Sequence, residues 1–409
     1  MPNLMLPSTR LPPQHVAANR PGFLPFVAIL ISISLFLIVS PGAAAASTPY
    51  SSNAASLPIP QSGAYLGVSV AQDTSEELLD NLRQYQFDAG KNAALVMYWR
   101  DFAASGQVDV RVMDAIYAQG SVPVISWGPG CWSGCDPSVN YSLNAVASGS
   151  FDSYIRSFAD SLRSYNQPVL LRFDAEMNNG CNGCDASAFV AAWRHIHDIF
   201  EQEGATNVEW VWCPDVDWDG QHPFAAYYPG SAYVDWLGLD GYNRPYIGYE
   251  WFSRIFSASL RELQAIDPSA PVMIGETASS EATADEAAAG KTKAAWIADA
   301  YGTGIPSFPR IKAVVWFNQD TSAQDGCSCN WMIESSPAAT QAYAVAVASS
   351  YFLASPVQAV EAAQQVANPT FTTGRDAGSA SVASSPSAAQ PALPLPPPTG
   401  TAPTQYRPR

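Results

Sequence analysis

The chain is poor in positive charge and in histidine. Its 409 residues contain 20 lysines and arginines against 36 aspartates and glutamates, which gives a formal net charge of -16. Such a surface repels a phosphate backbone unless basic residues are concentrated in a patch, and the sequence contains no such patch. Nucleic acid is therefore excluded as a partner, and the four histidines offer few ligands for a transition metal.

Cysteine is also scarce, and six of the seven form close pairs: Cys131/Cys135, Cys181/Cys184 and Cys327/Cys329. Such pairs can hold zinc, but no histidine lies at ligand spacing. Disulfides that staple loops in an oxidising compartment are therefore favoured, with their connectivity left open. The odd count leaves at least one thiol unpaired within the chain, and Cys213, which ends an apolar run, is the candidate.

The amino terminus has the organisation of an export signal. Arg10 and Arg20 precede an apolar run at residues 23–39, which is followed by the small residues 43–46. This pattern predicts a signal peptide over residues 1–46 and a secreted, extracellular protein. The alternative is an uncleaved leader that anchors the chain in a membrane.

Eight short apolar runs alternate with stretches of helical periodicity. The runs occupy residues 64–70, 93–98, 122–127, 169–173, 208–213, 234–239, 272–275 and 313–317. Near-continuous apolar runs are typical of parallel strands that are buried on both faces. A capping box at Thr74 and Glu77 starts one helix, and an apolar stripe that includes Val112 and Ile116 marks the next.

Eight strand–helix units over about 290 residues match the size of a (β/α)8 TIM barrel, an α/β fold with a single catalytic domain. The competing fold is a doubly wound open sheet, but no G-x-G-x-x-G turn follows the first strand. We therefore assign residues 47–62 to a short linker and residues 63–355 to the barrel. Residues 356–409, rich in Pro, Ala and Ser, read as a disordered tail, either inert or a tether.

Two glutamates follow strands of the predicted barrel: Glu176 comes just after the fourth, and Glu276 ends the seventh. Because the carboxyl ends of barrel strands carry the active site, the two carboxylates are placed to share the cleavage of a glycosidic bond. Aromatic faces stack on sugar rings, and polar groups bond their hydroxyls. The candidate substrate-binding residues are Trp99, Trp127, Arg172, Tyr242, Asn243 and Trp316.

Several ordered motifs carry a resemblance to a known family. They are PVLLRFDAEMN at residues 168–178, WVWCPD at 210–215, DWLGLDGYN at 235–243, PVMIGETAS at 271–279 and VVWFN at 314–318, with SSPAATQAY at 335–343. Together they resemble glycoside hydrolase family 26, whose members are retaining (β/α)8 enzymes best known as endo-β-mannanases. The resemblance spans residues 65–353, and the order of the motifs makes it specific.

The resemblance implies roles for individual residues. Glu176 matches the general acid/base, with a raised pKa, and Glu276 matches the ionised nucleophile. Arg172 is expected to keep that nucleophile ionised. Tyr242 resembles the tyrosine that bonds the nucleophile, and Trp316 resembles the platform beneath the sugar at the cleavage point.

One position departs from the family pattern. Ala175 stands where the family has a histidine before the acid/base, and a methyl group neither donates nor accepts a hydrogen bond. Asp174 is a candidate to replace part of its role. The cysteine pairs also follow the third, fourth and eighth strands, so we expect disulfides that stiffen the loops of the cleft.

The sequence therefore predicts a secreted, retaining endo-hydrolase of β-1,4-mannan or galactomannan. The alternatives are a β-1,3-1,4-glucanase or β-1,3-xylanase of the same fold, or a non-catalytic carbohydrate-binding barrel, which Ala175 favours. The polysaccharide is the expected partner. No metal or cofactor is required by this chemistry, and we expect a monomer that meets a membrane only through an uncleaved leader.

Overall fold

A computed structural model describes residues 56–71, 74–130, 136, 138–179, 185–218 and 220–367, with the side chains at 324–325 and 362–367 left aside. All of these residues belong to Ala44–Arg409, the second of two units of the chain. The predicted leader, most of the predicted tail and Cys131, Cys135, Cys181 and Cys184 lie outside the described residues. Within those ranges, the helices lack the combined length and apolar character that crossing a membrane requires.

Eight parallel strands close into a barrel. They are β1 (Ala64–Val70), β2 (Leu95–Asp101), β3 (Val122–Gly128), β4 (Val169–Phe173), β5 (Val208–Trp212), β6 (Trp236–Asn243), β7 (Val272–Ser279) and β8 (Ile311–Asn318). Neighbours follow the chain from β2 to β8, and β1 pairs with both β8 and β2 to complete the ring. The predicted (β/α)8 barrel is confirmed, and the doubly wound open sheet is excluded.

Helices follow the strands and cover the barrel. They are α1 (Ser75–Ala89), α2 (Val110–Ala118), α3 (Leu143–Ala147), α4 (Asp152–Tyr165), α5 (Ala186–Glu203), α6 (Phe252–Ile266), α7 (Ala284–Ala288), α8 (Lys293–Asp299), α9 (Ser322–Asp325), α10 (Pro337–Val347) and α11 (Pro356–Ala367). The predicted cap forms at α1, where the Thr74 side chain accepts from the amide of Glu77. Gly90 then ends the helix with a φ of 62°, which glycine adopts without steric cost.

Alternate side chains of each strand enter two separate layers. Met97, Val124 and Val211 point into the barrel, whereas Val96 and Ile125 pack against the helices. All five are fully buried. Burial of such a side chain stabilises the fold by about 1.5–3 kcal/mol, and the two layers together fix the direction of each residue along a strand.

The amino-terminal end of the barrel is covered by part of the assigned linker, by the last residues of the assigned barrel and by the start of the assigned tail. Leu57 is 3% exposed and packs in the barrel interior, and its amide donates to the carboxylate of Glu209. A short strand β9 (Phe352–Leu353) pairs with the start of β1, and α11 brings Ala359 into the same layer. Pro356 and Ala359 of α11 are buried here, so the predicted tail begins as a helix.

The two strands nearest the proposed chemistry are longer than predicted. β6 continues to Asn243 and β7 continues to Ser279, although both segments are polar. Their backbones stay paired from Asp240 opposite Glu276 to Asn243 opposite Ser279. Apolar periodicity cannot detect such extensions, because these side chains are held by hydrogen bonds.

Candidate active site

Three strand ends bring the polar side chains of the site to one edge of the barrel. β4 supplies Arg172 and leads to Glu176, β6 supplies Asp240 and Tyr242, and β7 supplies Glu276. The pairing of β6 with β7 shifts register at Asp240, which sets Asp240 directly opposite Glu276. Parallel strands end at the same edge, so residues far apart in sequence share one pocket.

Arg172 is the positive centre of the site and is 1% exposed. Its guanidinium donates to Oε1 of Glu276 and to Oδ2 of Asp240, and it lies 3.3 Å from Oγ of Ser126. Burial opposes the charge, but Asp240 and Glu276 outweigh it and raise the pKa of the guanidinium. Arg172 therefore stays charged and keeps the facing oxygen of Glu276 fixed.

Tyr242 holds the second oxygen of Glu276. Its hydroxyl donates to Oε2, and its ring is enclosed by Phe317 at 5.8 Å and by Trp331 at 5.0 Å between ring centroids. The Arg244 guanidinium lies 5.1 Å from the same ring. Burial, followed by the charge of Glu276, raises the pKa of Tyr242, so the phenol keeps its proton and donates.

Glu176 lies on a turn with an uncommon backbone. Asp174 and Glu176 have φ values of 41° and 57°, a region that residues with a Cβ seldom occupy. The amide of Asp174 donates to the Trp127 carbonyl at 2.8 Å, and that of Glu176 donates to the Cys213 carbonyl at 2.8 Å. The two adjacent strands thus fix a strained turn that re-aims the Glu176 side chain, as is common at functional sites.

The environment of Glu176 favours its protonated form. Burial, and then the charge of Glu276, raise its pKa above the usual carboxyl range. Arg172, Arg244 and a hydrogen bond with Asp240 act in the opposite direction without cancelling the rise. Carboxylate oxygens of Glu176 and Glu276 approach within 4.8 Å, which is closer to the separation of about 5–5.5 Å in retaining glycosidases than to the ~6.5–9.5 Å of inverting ones.

Asp240 is a third carboxylate of the site and is fully buried. It accepts from Arg172 and lies 3.1 Å from Sγ of Cys213. Burial raises the pKa of Asp240 well above its usual range. The charge of Arg172 acts in the opposite direction without cancelling this rise. Oxygens of Glu176, Asp240 and Glu276 lie close enough to ligate a cation, but Arg172 already supplies a positive charge between two of them.

Cys213 carries a free, buried thiol, as the sequence analysis expected. It is wedged between two glycines, because a Cβ on Gly238 would lie 2.5 Å from Sγ and one on Gly275 would lie 2.6 Å from it. The Gly275 Cβ would also lie 2.7 Å from Oδ1 of Asp240. Both glycines are therefore required for the sulfur and the carboxylate to lie side by side.

Asp215 fixes the segment after Glu176. Its amide donates to Oδ1 of Asn178 at 2.8 Å, and Nδ2 of Asn178 donates back to the Asp215 carbonyl at 2.8 Å. Asn179 donates to Oδ2 of Asp215 at 2.6 Å. These bonds join the acid/base turn to the end of β5.

The structure does not bring every predicted site residue into the cleft. Trp127 is 1% exposed and stacks on Phe158 in the helix layer, with its Nε1 donating to Tyr154. Trp316 is fully buried in the same layer and donates to the Trp331 carbonyl. Strand alternation explains both corrections, since these two positions point outward.

The barrel interior offers different aromatic residues at the mouth. Phe317, next to Trp316, lies 5.8 Å from Trp99 and from Tyr242. Of the predicted aromatic residues, Trp99 and Tyr242 are therefore at the mouth. The strand alternation of Ala313, Val315 and Phe317 was the available signal for the missed residue, whereas no sequence signal pointed to Trp331 or Arg244.

Asn243 supports the site instead of facing it. Its Nδ2 donates to Ser279 at 2.9 Å, and its Oδ1 accepts from the amide of Glu250 at 2.9 Å. Asn243 is fully buried. Both ends of the amide are used, so it ties β6 to β7 and to the following loop.

Ala175 is half-buried against the barrel interior. Asp174 is 6% exposed, and its Oδ2 has no hydrogen-bond partner within the described ranges. Burial raises the pKa of Asp174 to about 7. The pKa of Glu176 responds to Glu276, Arg172, Arg244 and Asp240.

The loop after β8 is folded back on itself. Cys327 and Cys329 pair with Cα atoms 5.2 Å apart, and the amide of Thr321 donates to the Cys329 carbonyl. The amide of Trp331 donates to the Gln319 carbonyl at 2.9 Å. The loop thereby returns Trp331 to the mouth of the barrel.

Known proteins share both the sequence and the fold. The family model described as glycosyl hydrolase family 26 matches residues 138–286, which include Glu176 and Glu276. Endoglucanase H of Acetivibrio thermocellus is 30% identical over 301 residues, covering 70% of this chain and 30% of that protein. This chain thus spans less than a third of that relative.

Two further matches follow the same pattern. Mannan endo-1,4-beta-mannosidase A and B of Caldalkalibacillus mannanilyticus is 36% identical over 96 residues, 20% of this chain and 18% of that one. The catalytic domain of the endo-beta-1,4-mannanase of Bacillus sp. JAMB-750 superimposes with a TM-score of 0.53 at 15% identity, covering 73% of this chain and 90% of that one. At that identity the likeness shows the fold alone. The family match across both glutamates shows that residues 138–286 of the chain belong to glycosyl hydrolase family 26.

Proposed function

We propose that the protein is a retaining, endo-acting glycoside hydrolase of β-linked polysaccharide. One observation carries the proposal: two glutamate carboxylates approach within 4.8 Å at the carboxyl end of the barrel, in contrasting surroundings. Glu176 has a raised pKa, and Glu276 is bonded by Arg172 and Tyr242. A proton donor beside a fixed carboxylate is what a two-step glycosidase requires.

In the first step, Glu176 gives its proton to the glycosidic oxygen while Glu276 attacks the anomeric carbon. The carbon–oxygen bond to the leaving sugar breaks, and an ester bond to Glu276 forms. Arg172 and Tyr242 hold the nucleophile in line, so little reorganisation is needed at the moment of attack.

In the second step, Glu176 acts as a base. It takes a proton from water, whose oxygen attacks the anomeric carbon and releases Glu276 as a carboxylate. Two inversions leave the product with the β configuration of the substrate. We therefore expect NMR of the reaction to show that the β anomer of the product is released first.

β-1,4-Mannan or galactomannan is the substrate that we propose. The relative from Caldalkalibacillus mannanilyticus, named as a mannan endo-1,4-beta-mannosidase, supports this choice. A β-glucan is the second candidate, because Endoglucanase H is similar over a much larger part of this chain. The β-1,3-xylan alternative belongs in the same test.

A panel of polysaccharides tests the substrate. Wild-type protein, Glu176→Ala and Glu276→Ala are incubated with galactomannan, barley-type mixed-linkage glucan and β-1,3-xylan, and released oligosaccharides are measured. We expect release from galactomannan to exceed release from the others, and both variants to be nearly inactive. Preferential release from glucan selects the endoglucanase instead.

A non-catalytic carbohydrate-binding barrel is the alternative from another class. The Ala175 methyl group favours it, because this position supplies no hydrogen bond to the carboxylates. Wild-type protein that retains glycans in affinity electrophoresis but releases no reducing sugar selects this function.

We also propose export of the chain, cleavage after residue 46, disulfides in the cleft loops and a monomeric state. The leader pattern and the paired cysteines support the first three. Amino-terminal sequencing of protein from the medium, thiol mapping and light scattering test them. Six free thiols in native secreted protein contradict the disulfides.

A further inference from the structure

A lysine outside the cleft is buried beside the loop that follows β8. Lys293 begins α8 and is fully buried. Its Nζ donates to the carbonyls of Asn330 at 3.2 Å and Met332 at 2.7 Å, and to Oγ of Ser335 at 2.9 Å. All three hydrogens of the ammonium therefore have acceptors in one short segment.

Burial of this charge is costly for the fold. It lowers the pKa of Lys293 to about 7, although Glu281, Glu334 and Asp320 act in the opposite direction. An apolar side chain of similar volume would avoid this cost, and such replacements of buried charges are often neutral or stabilising. The stability of the fold therefore does not explain why a lysine stands at position 293. We infer that the ammonium group serves to fix the segment that it bonds.

The segment that Lys293 holds contains Trp331, which lies between its two carbonyl acceptors. Trp331 is 5% exposed, and its Nε1 donates to Thr321 at 3.1 Å. Its carbonyl accepts from Trp316 at 3.0 Å. The main chain of Trp331 is thus held on both sides by one ammonium group.

The Trp331 ring leads directly to the nucleophile. It lies 5.0 Å from the Tyr242 ring between centroids, and Tyr242 donates to Glu276. The phenol can bond Oε2 only while its ring stays in place. A shift of the Trp331 segment frees one face of that ring.

We propose that Lys293 is a positioning residue for the nucleophile: its ammonium fixes the Asn330–Met332 segment so that the Trp331 ring holds Tyr242 against Glu276. The inference rests on the proposed glycosidase function, because the position of Tyr242 matters only if Glu276 attacks the anomeric carbon. Lys293 does not touch the substrate in this account and acts only through Trp331 and Tyr242.

Kinetics of single and double variants test this chain of contacts. Lys293→Met should lower kcat on galactomannan about 10-fold with little change in KM, and Lys293→Gln, which keeps a donor, should recover part of it. In a Tyr242→Phe background, Lys293→Met should lower kcat by less than about 2-fold, because the bond it supports is already lost.

Lys91→Met is the matched control. Lys91 also donates its ammonium to two backbone carbonyls, Val347 at 2.7 Å and Ser349 at 2.9 Å, but far from the cleft. Its loss should change stability and leave kcat within about 2-fold of wild type. Equal effects of Lys293→Met in the wild-type and Tyr242→Phe backgrounds would show a merely structural role and overturn the inference.

Hydrogen exchange separates this inference from the proposed function. Lys293→Met should speed exchange of the Thr321 and Trp331 amides, and Lys91→Met should not. If wild-type protein releases no sugar, the proposed function fails, and the exchange experiment still decides whether Lys293 holds the loop. Unchanged exchange in Lys293→Met overturns the anchoring role whatever the activity.

Discussion

Tyr242 and Glu276 face each other from neighbouring strands, and the tyrosine hydroxyl donates to Oε2 of the glutamate while Arg172 donates to Oε1. Each oxygen of the nucleophile therefore has its own fixed donor. Such a carboxylate cannot rotate freely, and its orientation is set before the substrate arrives.

Removal of the tyrosine hydroxyl should slow catalysis. Tyr242→Phe deletes a hydrogen bond to a charged group, which is worth about 1.5–3 kcal/mol, so kcat should fall about 10- to 100-fold. Tyr98→Phe is the control, because the Tyr98 hydroxyl is buried without a hydrogen-bond partner in the described part of the chain. Steady-state kinetics that place both variants within 2-fold of wild type would contradict the role of Tyr242.

The acid role of Glu176 predicts a dependence on the leaving group. Glu176→Gln should reduce polysaccharide hydrolysis by about 10²- to 10⁴-fold, because the departing sugar needs a proton. An aryl glycoside with an acidic phenol needs none, so the burst of phenol should be affected much less. Glu276→Ala should lose both reactions, and an equal loss of both in Glu176→Gln would argue against the assignment.

The pKa of Glu176 also sets a pH limit. Because burial and Glu276 raise this pKa, the protonated acid persists above the usual carboxyl range, and activity should decline as the pH rises through the raised value. The decline should be absent from the residual activity of Glu176→Gln. A decline that persists in the variant assigns the limit to another group.

Aromatic residues at the mouth and in the helix layer should behave differently. Phe317→Ala removes a ring that contacts Trp99 and Tyr242, and we expect KM to rise about 2- to 10-fold. Trp127→Phe should leave KM unchanged and destabilise the fold by about 1–3 kcal/mol. Kinetics and denaturant unfolding on both variants distinguish these outcomes, and a KM effect of Trp127→Phe alone would reverse the assignment.

Asp174 should make stability depend on pH. Its pKa is about 7 in the folded chain against 3.8 normally, so the folded chain alone keeps the proton between these values. Stability is then lost as the pH rises from about 4 to 7, at about 1.4 kcal/mol per unit, or about 4 kcal/mol in total.

Asp174→Asn removes this titration and keeps a residue that tolerates a positive φ. Its stability relative to wild type should increase between pH 4 and pH 7.5 in denaturant unfolding. Asp198→Asn, on the exposed face of α5, controls for the loss of charge. A difference between Asp174→Asn and wild type that stays constant with pH contradicts the buried titration.

The barrel and the two glutamates could be predicted because the apolar runs mark the strands and the polar residues after each run mark the strand ends. β1 and β4 have the bounds that their apolar runs predicted. The same periodicity, applied residue by residue, separates outward Trp316 from inward Phe317. The prediction for Trp316 was wrong because it rested on the residue type, which suits sugar binding, and not on the direction of the side chain along the strand.

Other parts of the site depend on contacts between distant segments. The positive φ of Asp174 and Glu176 is imposed by amide bonds to β3 and to the end of β5. The register shift sets Asp240 opposite Glu276, and the absence of a Cβ at Gly275 leaves room for the Cys213 sulfur. Trp331 reaches the mouth only because its loop folds back, and local sequence patterns do not encode such long-range packing.

Trapping of the covalent intermediate tests the central claim most directly. A 2-deoxy-2-fluoro-β-mannoside with a good leaving group slows the second step, and peptide mass mapping locates the attached sugar. We predict one sugar per chain on the peptide that contains Glu276, with faster release on addition of an acceptor sugar. A label on a different residue, or an active enzyme that never becomes labelled by this compound or its gluco counterpart, would contradict the account.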